Sequence, residues 1–226
     1  MNESRAGSCF SLGLKALIVV LGLLGQFIGF ERVDFMSGKH LLYYTNISNC
    51  LIVLLSVTLL VLEVRSIKGG RLPGIPAWLS RIRFSLTSGI LLTFAVFSLL
   101  LMPLMRADYL LSLDNLLVHN LVPLLACLDF ILFDSYYPAR KHNLLSGLSL
   151  PFAYFVLIFV VSLTGQHFDG RSAPYFFLDI QSNGWFSAGN GRLGVFWWLL
   201  IISMLQLVLS TLLLGFRKLA SRHSTD

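Results

Sequence analysis

Charge is scarce in this chain: Asp, Glu, Lys and Arg make up only 12% of its 226 residues, against about a quarter in a typical soluble domain. So few charged groups cannot cover a water-exposed surface, and a soluble globular fold is excluded. Cysteine is nearly absent. Cys9, Cys50 and Cys127 form an odd set without a CxxC pair, which excludes a disulfide framework and a cysteine-based zinc site. Cys50 and Cys127 read as small apolar packing groups. The chain also lacks internal repeats, low-complexity tracts and any break that would separate a second domain. Its apolar segments lack the two-residue alternation of barrel strands.

What is abundant is apolar sequence: 56% of residues are hydrophobic and the mean hydropathy is +0.77. These residues fall in six blocks, at 11–30, 41–62, 84–104, 115–133, 145–164 and 194–216, each near the ~20 residues that cross a ~30 Å hydrocarbon core as a helix. Without strand alternation, the backbone satisfies its own polar groups in hydrocarbon only as helices. The expected fold is an all-α, polytopic membrane protein, a single six-helix bundle spanning residues 1–226.

Basic residues orient it. With both termini in the cytoplasm, Arg5, Lys15, Arg65, Lys68, Arg71, Arg81, Arg83, Arg140, Lys141, Arg217, Lys218 and Arg222 fall inside. Arg32, Lys39, Arg106, Arg171 and Arg192 fall outside, and this is the bias expected of cytoplasmic loops. The net charge of +6 follows from topology, so no nucleic-acid partner is expected. The first apolar run is too long for the core of a signal peptide and Phe30-Glu31-Arg32 offers no small-residue cleavage site, so it reads as the first span. The external connection 165–193 is long for a simple linker and carries Gln166, His167, Asp169, Asp179 and Trp185, which suits a lid or binding element.

Polar side chains inside the spans are costly and mark function. In the second span Thr45, Ser48 and Asn49 stand at i, i+3 and i+4, on one helix face. Such a stripe also serves plain helix packing through hydrogen bonds across interfaces. In the fourth span Asn115, His119, Val122, Ala126 and Asp129 form a stripe directed at the bundle interior. Pro123 cannot donate to the carbonyl of His119, so the helix is expected to distort there. Thr45 and His119 each lie four residues inside spans that run in the same direction, which puts both ~6 Å below the external boundary. A hydroxyl and an imidazole at one depth suit an activated nucleophile, the histidine taking the hydroxyl proton as the oxygen attacks a carbonyl. Asp129 lies ~15 Å deeper, too far to orient that histidine, and is expected to stay protonated or hydrogen-bonded. Asp114 or Asp179 is the expected orienting group.

Three short motifs carry a family resemblance: Tyr44-Thr45-Asn46-Ile47-Ser48-Asn49, His119-Asn120-Leu121-Val122-Pro123 and Tyr175-Phe176-Phe177-Leu178-Asp179. In this order the chain resembles the androgen-induced-protein family of six-helix membrane proteins and its bacterial relatives. The loop motif departs from the family at Phe176, where proline is usual. The resemblance implies a hydrolase of lipid esters, such as fatty acid esters of hydroxy fatty acids, with Thr45 as nucleophile and His119 as partner. It also implies a bacterial inner-membrane location, and the topology directs the site to the extracytoplasmic side.

The working expectation is therefore a threonine-dependent ester hydrolase with no metal or cofactor. Asn46, Ser48 or Asn49 would donate to the oxyanion, Asp179 would support the site, and Asn115 and Asp129 are buried polar groups without an assigned role. The rival reading is a small-solute transporter in which Asp129, His119 and the Asn/Ser stripe line a polar path. Haem ligation by His119 is weaker, because His142 and His223 lie on the other side and only His40 and His167 share its depth.

Overall fold

A computed structural model describes residues 2–32, 39–70, 74–134, 141–168, 170–189 and 192–223. Arg71, Arg140 and Asp169 lie outside the described residues, as do the side chains of Arg5, Arg32, Lys141, His142, Arg222 and His223. The helices are α1 Asn2–Arg32, α2 Tyr44–Lys68, α3 Ala77–Val96, α4 Ala107–Leu110, α5 Leu113–Leu116, α6 Val122–Phe133, α7 Ser149–Leu163, α8 Ile180–Asn183 and α9 Val195–His223. A short antiparallel pair, β1 Ala188–Gly189 and β2 Arg192–Leu193, closes the loop before α9.

Six helical stretches are long and apolar enough to cross a membrane: Gly7–Phe30, Tyr44–Lys68, Ala77–Leu104, Leu113–Phe133, Leu144–Leu163 and Val195–Ser221. The chain is thus an all-α, polytopic integral membrane protein with one span for each expected block. The second span starts later than its hydropathy suggests. Residues 39–42 form a 3₁₀ turn, and α2 begins only after Tyr43, which is extended at φ −77° and ψ 135°.

Two spans are interrupted by π turns, Phe97–Leu101 after α3 and Leu117–Leu121 between α5 and α6. Each turn ends two residues before a proline, Pro103 or Pro123. A proline leaves the carbonyl four residues earlier without its usual donor, and a widened turn is one way the backbone accommodates this. At the second turn the N–H of Val122 reaches back to the carbonyl of Leu117. Gly25 of α1 lets the bundle close on this turn, since a Cβ there would stand 2.8 Å from Val118 Cγ1 and 3.0 Å from Leu117 Cβ. Small residues at such crossings let helices approach in a bilayer, where packing replaces the hydrophobic drive.

Asp129, on the deep part of the α6 stripe, is ion-paired. One carboxylate oxygen receives Lys15 Nζ at 2.8 Å and the other Arg83 Nη2 at 2.7 Å. Lys15 also meets Glu63 at 3.2 Å and Ser11 at 2.6 Å. Arg83 reaches Asp134 at 3.5 Å, and Arg217 Nε donates to the Asp134 carbonyl. Lys15 and Arg83, counted above among the topology-setting cations, are only 3% and 4% exposed. Their orienting weight is correspondingly smaller. Of the two expectations for Asp129, protonated or hydrogen-bonded, the structure shows it accepting hydrogen bonds from Lys15 and Arg83.

Candidate functional site

Thr45 occupies the first turn of α2 and His119 the middle of the π turn before α6. Although 74 positions apart, they meet: Thr45 Oγ1 lies 3.2 Å from His119 Nε2. Both are buried, at 8% and 7% exposure. Phe97, first residue of the other π turn, stacks on the imidazole with ring centroids 3.9 Å apart and planes 25° from parallel. The two proline-linked distortions therefore converge on one ring. Nδ1 of His119 is buried and has no hydrogen-bond partner among the described residues. Asp114 lines the second cavity together with His119.

The remaining expected residues divide by what they touch. Asn49, fully buried, donates from Nδ2 to the carbonyl of Thr45 at 2.8 Å and to the carbonyl of Val118 at 2.9 Å. Both amide hydrogens are used, so Asn49 clamps α2 to the π turn and has none left for an oxyanion. Ser48 sits between the Thr45 carbonyl at 3.0 Å and Thr93 Oγ1 at 2.8 Å, joining α2 to α3. Asn46 turns to Gln26 and to the carbonyl of His40. Asn115 donates to the Leu110 carbonyl at 2.9 Å, closing the bend between α4 and α5.

Of the two acids considered as partners for His119, Asp114 and Asp179, the second is engaged in its own loop. It accepts from Ser172 Oγ at 2.6 Å and Ser182 Oγ at 2.5 Å and caps α8 through the Ser182 N–H. Burial pushes its carboxyl up, but these hydrogen bonds outweigh that and hold it below its ordinary value. The loop Tyr175-Phe176-Phe177-Leu178 is therefore braced by its own acidic residue.

Two cavities meet at the pair. The first, about 570 Å³, is apolar and extends from Thr45 and Leu92 past Phe152 to Leu200. Phe152 and Leu200 face outward, so its mouth opens on the apolar surface of the bundle between α7 and α9. The second, about 980 Å³, contains His119 and is edged by Lys39, His40, His167 and Arg171. Thr45, Phe97, Leu101 and Tyr175 line both. Neither Asp129 and Asp134 nor the four charged residues around them, Lys15, Glu63, Arg83 and Arg217, line either cavity.

Sequence reasoning passed over Phe97, Thr93 and the position of Tyr175. Phe97 carries no signal of its own. Tyr175 does: Tyr175-Phe176-Phe177-Leu178 is an unusually apolar run for a connecting loop, and Tyr175, Phe177 and Leu178 are buried. The ionic cluster was also legible in part, because Glu63, Asp129 and Asp134 lie at the same end of their spans as Lys15, Arg83 and Arg217.

Fold and site together define a class: a polytopic helical membrane protein with a buried hydroxyl–imidazole pair at the junction of two cavities. No protein-family model matches the chain, and no curated protein or solved structure matches it.

Proposed function

We propose that the protein is an intramembrane lipid-ester hydrolase in which Thr45 is the nucleophile and His119 the general base. The observation that carries this reading is the 3.2 Å contact between Thr45 Oγ1 and His119 Nε2, within the range a base needs in a resting enzyme. The surroundings suit a two-part lipid. An apolar chain entering between α7 and α9 lies in the first cavity, the remainder of the molecule lies in the second, and the ester sits at their shared wall. The resemblance of the three motifs to the androgen-induced-protein family supports the same roles, with fatty acid esters of hydroxy fatty acids as one fitting substrate class.

In this mechanism Nε2 takes the Thr45 proton as Oγ1 bonds to the ester carbon, and the carbonyl π pair moves to its oxygen. Collapse of the tetrahedral adduct breaks the bond to the alcohol oxygen, which receives the proton from Nε2 and leaves. Water then attacks the acyl-threonine with His119 again as base, releasing the acid and restoring Thr45. Nε2 must be the unprotonated nitrogen, so the proton of the neutral ring resides on Nδ1.

A solute pathway past Asp129 is disfavoured, since that carboxylate is closed between Lys15 and Arg83. The test is turnover of a long-chain ester by purified protein in detergent or lipid, with fluorophosphonate labelling and mass mapping of the modified residue. Labelling at Thr45, lost in Thr45→Ala and His119→Ala, is expected. Undiminished turnover in either variant would overturn the mechanism.

A further inference from the structure

A hydrolase of this design needs a donor for the developing oxyanion, and the amides and hydroxyls suggested by the sequence are engaged elsewhere. Asn49 spends both hydrogens on the Thr45 and Val118 carbonyls. Ser48 is held between the Thr45 carbonyl and Thr93. Asn46 faces Gln26 and His40. The unassigned polar group that approaches Thr45 comes instead from the loop before α8: Tyr175 Oη lies 3.4 Å from the backbone N of Thr45 and also interacts with the Thr45 side chain.

Three features make this phenol more than a neighbour. First, Tyr175 and Thr45 line both cavities, so an ester carbonyl lodged at their common wall has the phenol and the attacking hydroxyl beside it. Second, the ring is fixed. It stacks on Phe177 with centroids 5.2 Å apart and planes 5° from parallel, and makes edge contacts with Tyr43 at 5.8 Å and Tyr154 at 6.3 Å. A donor held in place before reaction needs no reorganisation as charge develops. Third, the Thr45 N–H belongs to the first turn of a 25-residue helix whose N-cap, Tyr43, supplies no side-chain cap. First-turn amides have no partner within the helix, and the dipole there favours negative charge. The phenol is moreover a neutral donor at working pH, because burial, only partly offset by hydrogen bonds with Thr45, raises it to about 12.

We propose that Tyr175 is a further catalytic residue of this site, its phenolic O–H donating to the ester carbonyl oxygen as that oxygen becomes the oxyanion, alongside the backbone N–H of Thr45. This assignment rests on the hydrolase reading above and adds the electrophilic half that the Thr45–His119 pair lacks. In the resting protein Tyr175 Oη accepts the Thr45 N–H bond. An incoming carbonyl oxygen takes over that N–H and receives the phenol hydrogen as well.

The experiment compares Tyr175→Phe with wild type on a long-chain aryl ester and on its thionoester, in which sulfur replaces the carbonyl oxygen and accepts hydrogen bonds poorly. Thr45→Ala and His119→Ala are run beside them. Tyr175→Phe is expected to lose about 10²–10³ in kcat on the ester, with KM within a few-fold and a smaller loss on the thionoester, so that the preference for oxygen narrows. Wild-type kcat in Tyr175→Phe, or an equal loss on both substrates, overturns the assignment. Full activity in Thr45→Ala or His119→Ala overturns the underlying hydrolase reading instead. Should Tyr175→Phe not fold, 3-fluorotyrosine incorporated at position 175 keeps the ring and sharpens the phenol as a donor. The oxygen-to-sulfur preference is then expected to change, and an unchanged ratio overturns the proposal.

Discussion

At one end of the bundle Lys15, Glu63, Arg83, Asp129, Asp134 and Arg217 close on one another. At the other, Thr45 and His119 face two cavities. The ends are separated by most of the length of α2, since Glu63 lies ~27 Å along the helix from Thr45. Among the described residues, three carboxylates and three cations meet at the first end, and the pairs at Asp129 are direct and short. At the second end, His119 Nδ1 has no hydrogen-bond partner among the described residues, and the pair borders both cavities. Burial is nearly equal at the two ends, so it does not distinguish the ion-paired cluster from the pair proposed to react. What separates them is whether the polar atoms are used up on one another or directed at a cavity.

The comparison predicts that substitutions at the two ends fail differently. The largest effect is expected at the Thr45 end. Thr45→Ala and His119→Ala should each lower ester turnover by about 10³ or more while leaving thermal stability in detergent near wild type.

Asp129→Ala should do the reverse. It strands Lys15 and Arg83 without their shared carboxylate, at a cost of about 3–5 kcal/mol, read as a lowered unfolding midpoint. Activity per folded molecule should be retained. A stable Asp129→Ala protein without activity would erase the distinction between the ends.

Asn49→Leu lies between these cases. Losing the clamp leaves the Thr45 and Val118 carbonyls short of a donor, at about 1–3 kcal/mol, and loosens the register of Thr45 against His119. Turnover should fall by about 10–100-fold, in step with a modest loss of stability. Gly25→Ala should follow at about 1–3 kcal/mol, because its Cβ would press on Val118 and Leu117 of the turn that carries His119.

The smallest effect concerns the loop. Asp179 is held below its ordinary carboxyl value in the folded protein. Its contribution to folding is therefore present above the unfolded-state value of about 3.9 and is lost as pH falls through the lower folded value. Proteolysis of the segment around Tyr175 should stay flat from neutral pH to about 4 and rise below that. Asp179→Asn should remove the acid-dependent step.

Some of this was written in local sequence. Six apolar blocks imply six helices because hydrocarbon offers the backbone no other hydrogen-bond partner. The stripe Asn115, His119, Val122, Ala126 and Asp129 is buried along its whole length, as helical spacing requires. Counting four residues inward from 41 and from 115 suggested one depth for Thr45 and His119, but the helical spans start at Tyr44 and Leu113, so the two meet through the packing of α2 against the π turn and not through equal counts. Pro123 announced a distortion, although not that it would be a π turn or that Pro103 would produce its counterpart.

Rotation and partnership were not legible in this way. Depth says nothing about which way a helix turns about its axis, and that angle decides whether Thr45 faces His119 or lipid. The same freedom hid Lys15, which counted as a cation at a helix end until α1 and α6 packed and brought it to Asp129 across 114 positions. Asn49 has the composition of an oxyanion donor, and only the crossing of α2 against the π turn assigns both its hydrogens to carbonyls.

The sequence by itself determined that this chain forms six helices long and apolar enough to cross a membrane, because hydrophobic length is a property of single segments. Tertiary structure alone decided which of those polar groups neutralise one another and which are left facing a cavity beside Tyr175. Pairing depends on the rotation and close approach of helices far apart in the chain, set by small residues such as Gly25 and by the two π turns that meet at His119.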